Sequence, residues 1–280
     1  MQYLLLTIVV FMVAAQNIVE KQYNVKVQNG NALLFAGLSS LVAMLFFVIS
    51  SGLNIKLESS LIGYSVAFAA AYSLCNIGIV QAIRYGSLGV TMLIFSYSLI
   101  SPTFYGVIVL KEPVSYFTWI GLSLLAVSLF LLNFKNETVK ISLKWIVFTL
   151  MAFVGNGMCS TVQKIQQDAF DGGYKNEFMI IALFIAGVFL VIISFIGKNT
   201  NRYLKIVPYA ACKGIANAIV NLLVMILTGI IPNVILFPVI SAGGIALGFF
   251  AAVFVYKEKL SLVQYIGYAI GVASVVILNL

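Results

Sequence analysis

The chain has 280 residues, of which 62% are hydrophobic and 9% carry a charge, and its mean hydropathy is +1.10. This composition excludes a water-soluble globular domain and predicts that lipid surrounds most of the chain. The net charge of +8 does not indicate nucleic acid, because the Lys and Arg residues are scattered singly among short loops, so membrane lipid headgroups are the expected partner.

Apolar stretches follow one another along the chain, each close to the about 20 residues that cross the hydrocarbon core of a bilayer. In chain order, ten predicted spans cover 3–20, 31–51, 60–83, 88–110, 114–133, 144–162, 177–197, 206–228, 233–255 and 260–279. The connections reach about ten residues at most, which leaves no room for a soluble domain. The first stretch lacks preceding basic residues and a cleavage site, so it predicts a retained helix rather than a signal peptide.

A block of sequence in the first half recurs in the second half. The matched pairs are Lys111 with Lys257, Glu112 with Glu258, Gly121 with Gly267 and Asn133 with Asn279. Each copy holds five spans, and an odd number makes the second copy enter from the opposite side. The sequence therefore predicts an all-α polytopic membrane protein with ten transmembrane helices in two inverted five-helix repeats, 1–135 and 136–280, that form one transmembrane domain.

The repeated glutamates, Glu112 and Glu258, fall at the starts of the fifth and tenth spans. A carboxylate at that position meets the positive end of the helix dipole, which predicts a structural role without chemistry. Cys75, Cys159 and Cys212 fall inside spans and are expected to act as small apolar residues, so no disulfide framework is indicated.

Basic residues distribute unevenly between the two sets of loops. Loops after odd-numbered spans hold eleven Lys or Arg residues and the other loops hold four. The excess favours a cytoplasmic position for the first set and puts both termini outside.

Several short motifs resemble the EamA-type transporters of the drug/metabolite transporter (DMT) superfamily. They are Ala82-Ile-Arg-Tyr-Gly-Ser87, Tyr97-Ser-Leu-Ile-Ser-Pro102, the Lys-Glu and Ile-Gly pairs of each half, and Phe237-Pro-Val-Ile-Ser-Ala-Gly-Gly244. The resemblance covers nearly the whole chain. It implies ten helices in two inverted repeats, a central cavity lined mainly by helices 1, 3, 4, 6, 8 and 9, and both termini in the cytoplasm, opposite to the charge count.

The resemblance does not supply a coupling residue. Related small multidrug exporters carry a glutamate deep in the first helix, which couples protons to drug. Here that depth is occupied by residues from Met12 to Gln16, and Glu20 lies at the helix end. A proton, sodium or no coupling ion all remain open.

Polar residues within the predicted spans are the candidates for a binding cavity, because hydrocarbon cannot satisfy their hydrogen bonds. Such residues also serve as contacts between helices, and packing is the ordinary explanation for small polar pairs. Pro within a span frees backbone carbonyls, so paired interruptions point to a binding region. The cavity candidates are Asn17, Tyr72, Asn76, Ser98, Asn156, Ser160, Lys213, Asn217, Asn221 and Ser241, with helix breaks expected at Pro102, Pro238, Gly243 and Gly244.

Lys213, Asn217 and Asn221 lie at positions i, i+4 and i+8, which share one helical face. For Lys213 two alternatives stay open: a cavity charge that attracts a carboxylate or phosphate, or a side chain that snorkels to the interface because Pro208 begins the helix.

Together these features predict a secondary transporter that moves a small organic metabolite, amino-acid-like, zwitterionic or cationic, by alternating access. The alternatives are a channel-like or uncoupled facilitator, or a drug exporter of the same fold. The sequence has no histidine and no Gly-x-Ser-x-Gly motif, so an intramembrane enzyme is not favoured, and no cofactor or metal is expected. We expect a monomer or homodimer in the bacterial plasma (inner) membrane.

Overall fold

The structure is a computed structural model that describes residues 2–27, 30–56, 58–85, 91, 94–95, 98, 100–132, 142–196, 203–250 and 261–278. Ten α-helices occupy this part of the chain, and each overlaps one predicted span. In chain order they are α1 Gln2–Lys26, α2 Ala32–Ser50, α3 Leu61–Tyr85, α4 Ile100–Ile108, α5 Tyr116–Leu132, α6 Leu143–Ala169, α7 Lys175–Ile196, α8 Tyr203–Leu227, α9 Asn233–Phe250 and α10 Leu262–Leu278.

Six of these helices are long and apolar enough to cross a membrane: α1, α2, α3, α6, α7 and α8. The apolar helices α5 and α10 are shorter, at 17 residues each. Large apolar side chains are exposed on the outer surface, including Ile49, Phe195 and Leu204. Exposed apolar surface of this extent is unfavourable in water and favourable in lipid, so the helices are those of an integral membrane protein.

Helices α2 and α7 lie antiparallel along each other. Asn31 begins α2 by accepting a hydrogen bond from the Leu34 amide at 3.1 Å, and its Nδ2 donates to the carbonyl of Ser194 near the end of α7 at 2.9 Å. At the opposite ends, Ser50 Oγ donates to Asn176 Oδ1 at 3.3 Å. Each helix therefore begins beside the end of the other.

Helix packing joins the first five helices to the second five throughout. α1 packs on α8 and α3 on α6, while α2 packs on α8 and α3 on α7. α4 packs on α9, and α5 packs on α10 through a hydrogen bond from Ser128 Oγ to the Gly267 carbonyl at 2.7 Å. When each helix is replaced by its equivalent in the other half, α1 by α6, α2 by α7 and so on, the same set of helix pairs results.

The largest buried cluster lies among α2, α3, α7 and α8. Phe47, Phe68, Phe178, Met179 and Met225 are almost fully buried there. A second cluster joins α1, α8 and α9. Because each cluster draws side chains from both halves, neither half has a core of its own in these helices.

The helix breaks expected at Pro238, Gly243 and Gly244 are wrong. α9 continues as one α-helix from Asn233 to Phe250 through all three residues. Pro238 removes a single backbone donor and lies buried among apolar neighbours, and the helix continues through it. Pro102 is the third residue of α4, and the first turn of a helix tolerates proline because its N–H groups have no intrahelical partner.

Two further expectations about helix starts need correction. Pro208 does not begin α8, which starts at Tyr203, so Lys213 lies almost three turns into the helix. Glu112 precedes α5, but its carboxylate accepts a hydrogen bond from the Val234 amide in the first turn of α9, at 3.0 Å. It therefore caps a helix of the other half. Its repeat partner Glu258 lies outside the described residues, as do Lys257, Asn133 and Asn279.

Candidate functional site

A row of polar side chains runs along α8 inside the bundle and meets polar side chains from three other helices. We call this row the polar strip, and it comprises Glu20 of α1, Tyr72 of α3, Gln163 of α6, and Lys213, Asn217 and Asn221 of α8. The helical spacing of four residues places the three α8 side chains on one face, and antiparallel packing brings α1 alongside that face.

One end of the polar strip is an ion pair. Lys213 Nζ lies 2.7 Å from Glu20 Oε2. The Lys213 side chain is 14% exposed and that of Glu20 is 38% exposed, so the pair is largely enclosed but remains reachable from one side. Neither alternative that the sequence left open for Lys213, an unpaired cavity charge or a snorkelling side chain, includes this partner.

Aromatic side chains surround the ion pair. The Lys213 ammonium lies 4.8 Å from the centre of the Phe35 ring, which is within the range of a cation–π interaction. Tyr23 stacks on Phe35 with ring centres 4.1 Å apart, and the Tyr209 ring lies beyond it. Burial, and secondly the negative charge of Glu20, raises the pKa of Tyr23 to about 12. Tyr23 is therefore neutral, and its ring forms part of the aromatic wall beside Phe35.

The middle of the polar strip consists of neutral groups. Asn217 Nδ2 donates to the Tyr72 hydroxyl across the α8–α3 gap at 3.4 Å, a long hydrogen bond. The Tyr72 ring stacks on Phe68, with ring centres 6.0 Å apart. Asn217 is only 9% exposed. These contacts bring the two polar groups together inside the bundle.

The other end of the polar strip is a chain of amides. Gln163 Nε2 donates to Asn221 Oδ1 at 2.7 Å, and Asn221 Nδ2 donates to Asn217 Oδ1 at 2.9 Å. Gln163 is 3% exposed. The amide chain thus links α6 to α8 and satisfies side chains that lipid would leave unpaired.

The remaining sequence candidates lie elsewhere or bond locally. Asn76 Nδ2 returns to the Tyr72 carbonyl on its own helix at 2.8 Å, and Asn156 Nδ2 donates to Ser98 Oγ at 2.6 Å. Asn17 is exposed on α1, while Ser160 and Ser241 are half-buried. The structure therefore brings together four of the ten candidates: Tyr72, Lys213, Asn217 and Asn221.

Two members of the polar strip were absent from the candidates. On the sequence alone, Glu20 is only an acid at a helix end, and Gln163 is not a candidate. The sequence did contain a signal for both. When the sequence is shifted by 143 residues, Val19 falls on Val162 and Lys21 on Lys164, and the same shift places Glu20 opposite Gln163.

The chemistry available at this site is binding of a polar solute. The polar strip presents one carboxylate, one ammonium, a hydroxyl and three amides within a mostly apolar bundle. Among the described residues, no group of three or more His, Cys, Asp or Glu side chains converges as metal ligands would. The protein is therefore a membrane-embedded helical bundle with an internal polar site.

Comparison with known proteins finds a structural match but no sequence match. No protein-family model and no curated protein matches the sequence. A solved structure, described only as the crystal structure of a protein, aligns with a TM-score of 0.76 at 10% identity. The alignment covers 99% of this chain and 95% of that chain. The likeness shows a shared fold over the whole length.

Proposed function

We propose that this chain is a secondary transporter of the EamA type, which moves a small organic metabolite across a bacterial plasma membrane by alternating access. The observation that carries the proposal is the packing between the halves: the pairs α1–α8 and α3–α6, α2–α8 and α3–α7, α4–α9 and α5–α10 recur when each helix is replaced by its equivalent in the other half. An inverted repeat with this exchange symmetry allows two related conformations that open to opposite sides of one central site.

Antiparallel contacts between equivalent helices support the inversion. α2 and α7 begin beside each other's ends, as expected when one five-helix unit is turned over relative to the other. The polar strip supports a central site, because it lies at the α1–α8 contact between halves and continues to α3 and α6.

A thermal-shift screen of purified protein against metabolites and cationic drugs identifies a probe for transport. A ligand at a hundred times its dissociation constant stabilises the folded state by about 2.7 kcal/mol, which is a measurable shift. Counterflow of that ligand into proteoliposomes then tests the carrier. We expect flux that saturates with concentration and is accelerated by the same solute on the opposite side.

Variants of the polar strip connect flux to the site. Asn221→Ala should reduce flux by about tenfold or more through the lost hydrogen bonds, while the chemically matched Asn176→Ala, at a helix end, should leave flux unchanged. Flux that rises linearly without saturation would instead indicate a channel. Flux that is insensitive to every substitution in the polar strip would show that the solute binds elsewhere.

A further inference from the structure

The Glu20–Lys213 pair is the charged part of an otherwise neutral polar strip, and its neighbours Tyr72, Asn217 and Asn221 carry no charge. The 2.7 Å contact joins α1 of the first half to α8 of the second half, and 193 residues separate the two side chains along the chain. The Glu20 carboxylate is the more accessible partner, at 38% exposure. A solute that enters the polar strip therefore reaches a pair of opposite charges that already satisfy each other.

The enclosed position of the Glu20–Lys213 ion pair limits which solutes can separate the two side chains. A charge in a low-dielectric site needs a partner of opposite sign, and removing one partner leaves the other uncompensated. A cation that binds Glu20 would leave the Lys213 ammonium, which is 14% exposed, without a carboxylate, and an anion that binds Lys213 would leave the Glu20 carboxylate without a cation. A solute that carries both charges replaces each partner with its own group, so neither side chain loses its partner.

The surroundings of the pair favour such an exchange. Phe35 holds the Lys213 ammonium at 4.8 Å from its ring centre, so the ammonium keeps a second interaction when the carboxylate moves. Asn217 and the Tyr72 hydroxyl are joined by a hydrogen bond of 3.4 Å, which is long enough for a solute group to improve on. The pair therefore has polar neighbours able to orient a bound solute.

We infer that the Glu20–Lys213 pair selects zwitterionic solutes by exchanging its ion pair for two ion pairs with the solute. The solute's ammonium binds the Glu20 carboxylate, and its carboxylate binds the Lys213 ammonium. This assignment rests on the proposed transport function and names the substrate class of the same site.

Binding of matched solutes tests the inference. The probes are a panel of α-amino acids, each compared with its carboxamide, which is a cation, and its N-acetyl derivative, which is an anion. We expect at least one amino acid to bind the purified protein about tenfold more tightly than both derivatives. If no amino acid binds, or if either derivative binds as tightly, the inference is wrong.

Charge-neutralising variants give a readout that a purely structural ion pair would not produce. Lys213→Gln leaves Glu20 without its cation and should shift the preference to the carboxamide. Glu20→Gln leaves the ammonium and should shift the preference to the N-acetyl derivative. The control is another ion pair among the described residues, Lys164 with Asp168 at 2.9 Å, where Lys164→Gln and Asp168→Asn should not alter the preference.

A charge exchange keeps the test informative if the single variants fail to fold. The double variant Glu20→Lys with Lys213→Glu restores an ion pair and should retain the preference for the zwitterion. Unchanged selectivity in both folded single variants, or loss of the zwitterion preference in the folded double variant, would contradict the inference.

Failure of the inference is distinguishable from failure of the transport proposal. Saturable counterflow of a solute that carries only one kind of charge would overturn the zwitterion assignment and leave the carrier intact. Selective binding of zwitterions without counterflow would support the assignment and overturn the carrier.

Discussion

The sequence places Lys213 on the polar face of α8 but does not identify its partner. The pattern of α8 identified the polar face, because spacing along one helix is a local property. The partner of Lys213 lies 193 residues away on α1, and only the packing of α1 against α8 brings Glu20 to it. Its identity as a paired charge therefore comes from the tertiary structure.

The amide chain of the polar strip leads to a prediction about coupling between two side chains. Asn221→Leu leaves the buried Gln163 donor without its 2.7 Å acceptor, so we expect the free energy of unfolding to fall by about 1–3 kcal/mol. Gln163→Leu combined with Asn221→Leu should cost less than the sum of the two single variants, by about 1 kcal/mol. Denaturation in detergent measures all three values.

An additive double variant would mean that Gln163 and Asn221 do not interact. Ser123→Ala is a suitable control, because this exposed hydroxyl donates to the Trp119 carbonyl of its own helix and takes no part in the polar strip. We expect this substitution to change the free energy of unfolding by less than about 0.5 kcal/mol.

At the scale of helices, Glu112 caps α9 of the other half through its 3.0 Å bond to the Val234 amide. Glu112→Gln removes a negative charge from the positive end of that helix, so we expect the free energy of unfolding to fall by about 0.5–2 kcal/mol. Glu58→Gln is the matched control at an exposed carboxylate. An equal and small effect of both substitutions would show that the cap does not stabilise α9.

Close approach of two helices explains the glycines at the α3–α6 contact. A Cβ atom at Gly155 would lie 2.6 Å from the Cys75 amide nitrogen and 2.7 Å from the Ala71 carbonyl oxygen. The backbone of α3 would have to move, so we expect Gly155→Ala to lower the free energy of unfolding by about 1–3 kcal/mol.

The control for this prediction lies on α3. A methyl group added at Gly63 would point into open space, with no packed atom within 4 Å of it. Gly63→Ala should therefore be neutral or stabilise the protein by up to about 1 kcal/mol. Thermal unfolding of the two variants in parallel gives the comparison. Equal stability of Gly155→Ala and the wild-type protein would show that α3 and α6 can separate without cost.

For the whole molecule, the inverted repeat that we propose makes a prediction about sidedness. Lys26 and Ala169 are the exposed last residues of the equivalent helices α1 and α6. In a protein with Cys75, Cys159 and Cys212 replaced by alanine, we introduce Lys26→Cys or Ala169→Cys singly. A membrane-impermeant maleimide should label one variant in sealed vesicles, and both variants after permeabilisation.

Labelling of both variants from the same side would contradict the inverted repeat. The same measurement settles the orientation, because vesicles of known sidedness show which end of α1 faces the cytoplasm. The charge distribution predicts that Lys26 is cytoplasmic, whereas the resemblance to EamA-type transporters predicts that it is outside.

Sequence patterns alone identify an integral membrane protein, the positions of ten helices and the polar face of α8. These are local properties, since a run of apolar residues and a spacing of four can be read within one helix. The prediction of a helix break at Pro238 was wrong, because one missing backbone donor does not interrupt a helix whose neighbours are buried.

Tertiary structure alone decided which polar residues meet. Glu20 with Lys213, Gln163 with Asn221 and Glu112 with Val234 each join side chains or backbone from helices far apart in sequence. Within a membrane bundle, buried polar groups need partners, but many arrangements of helices could supply one. The way the helices pack selects these partners, and so determines the charge and shape of the polar strip.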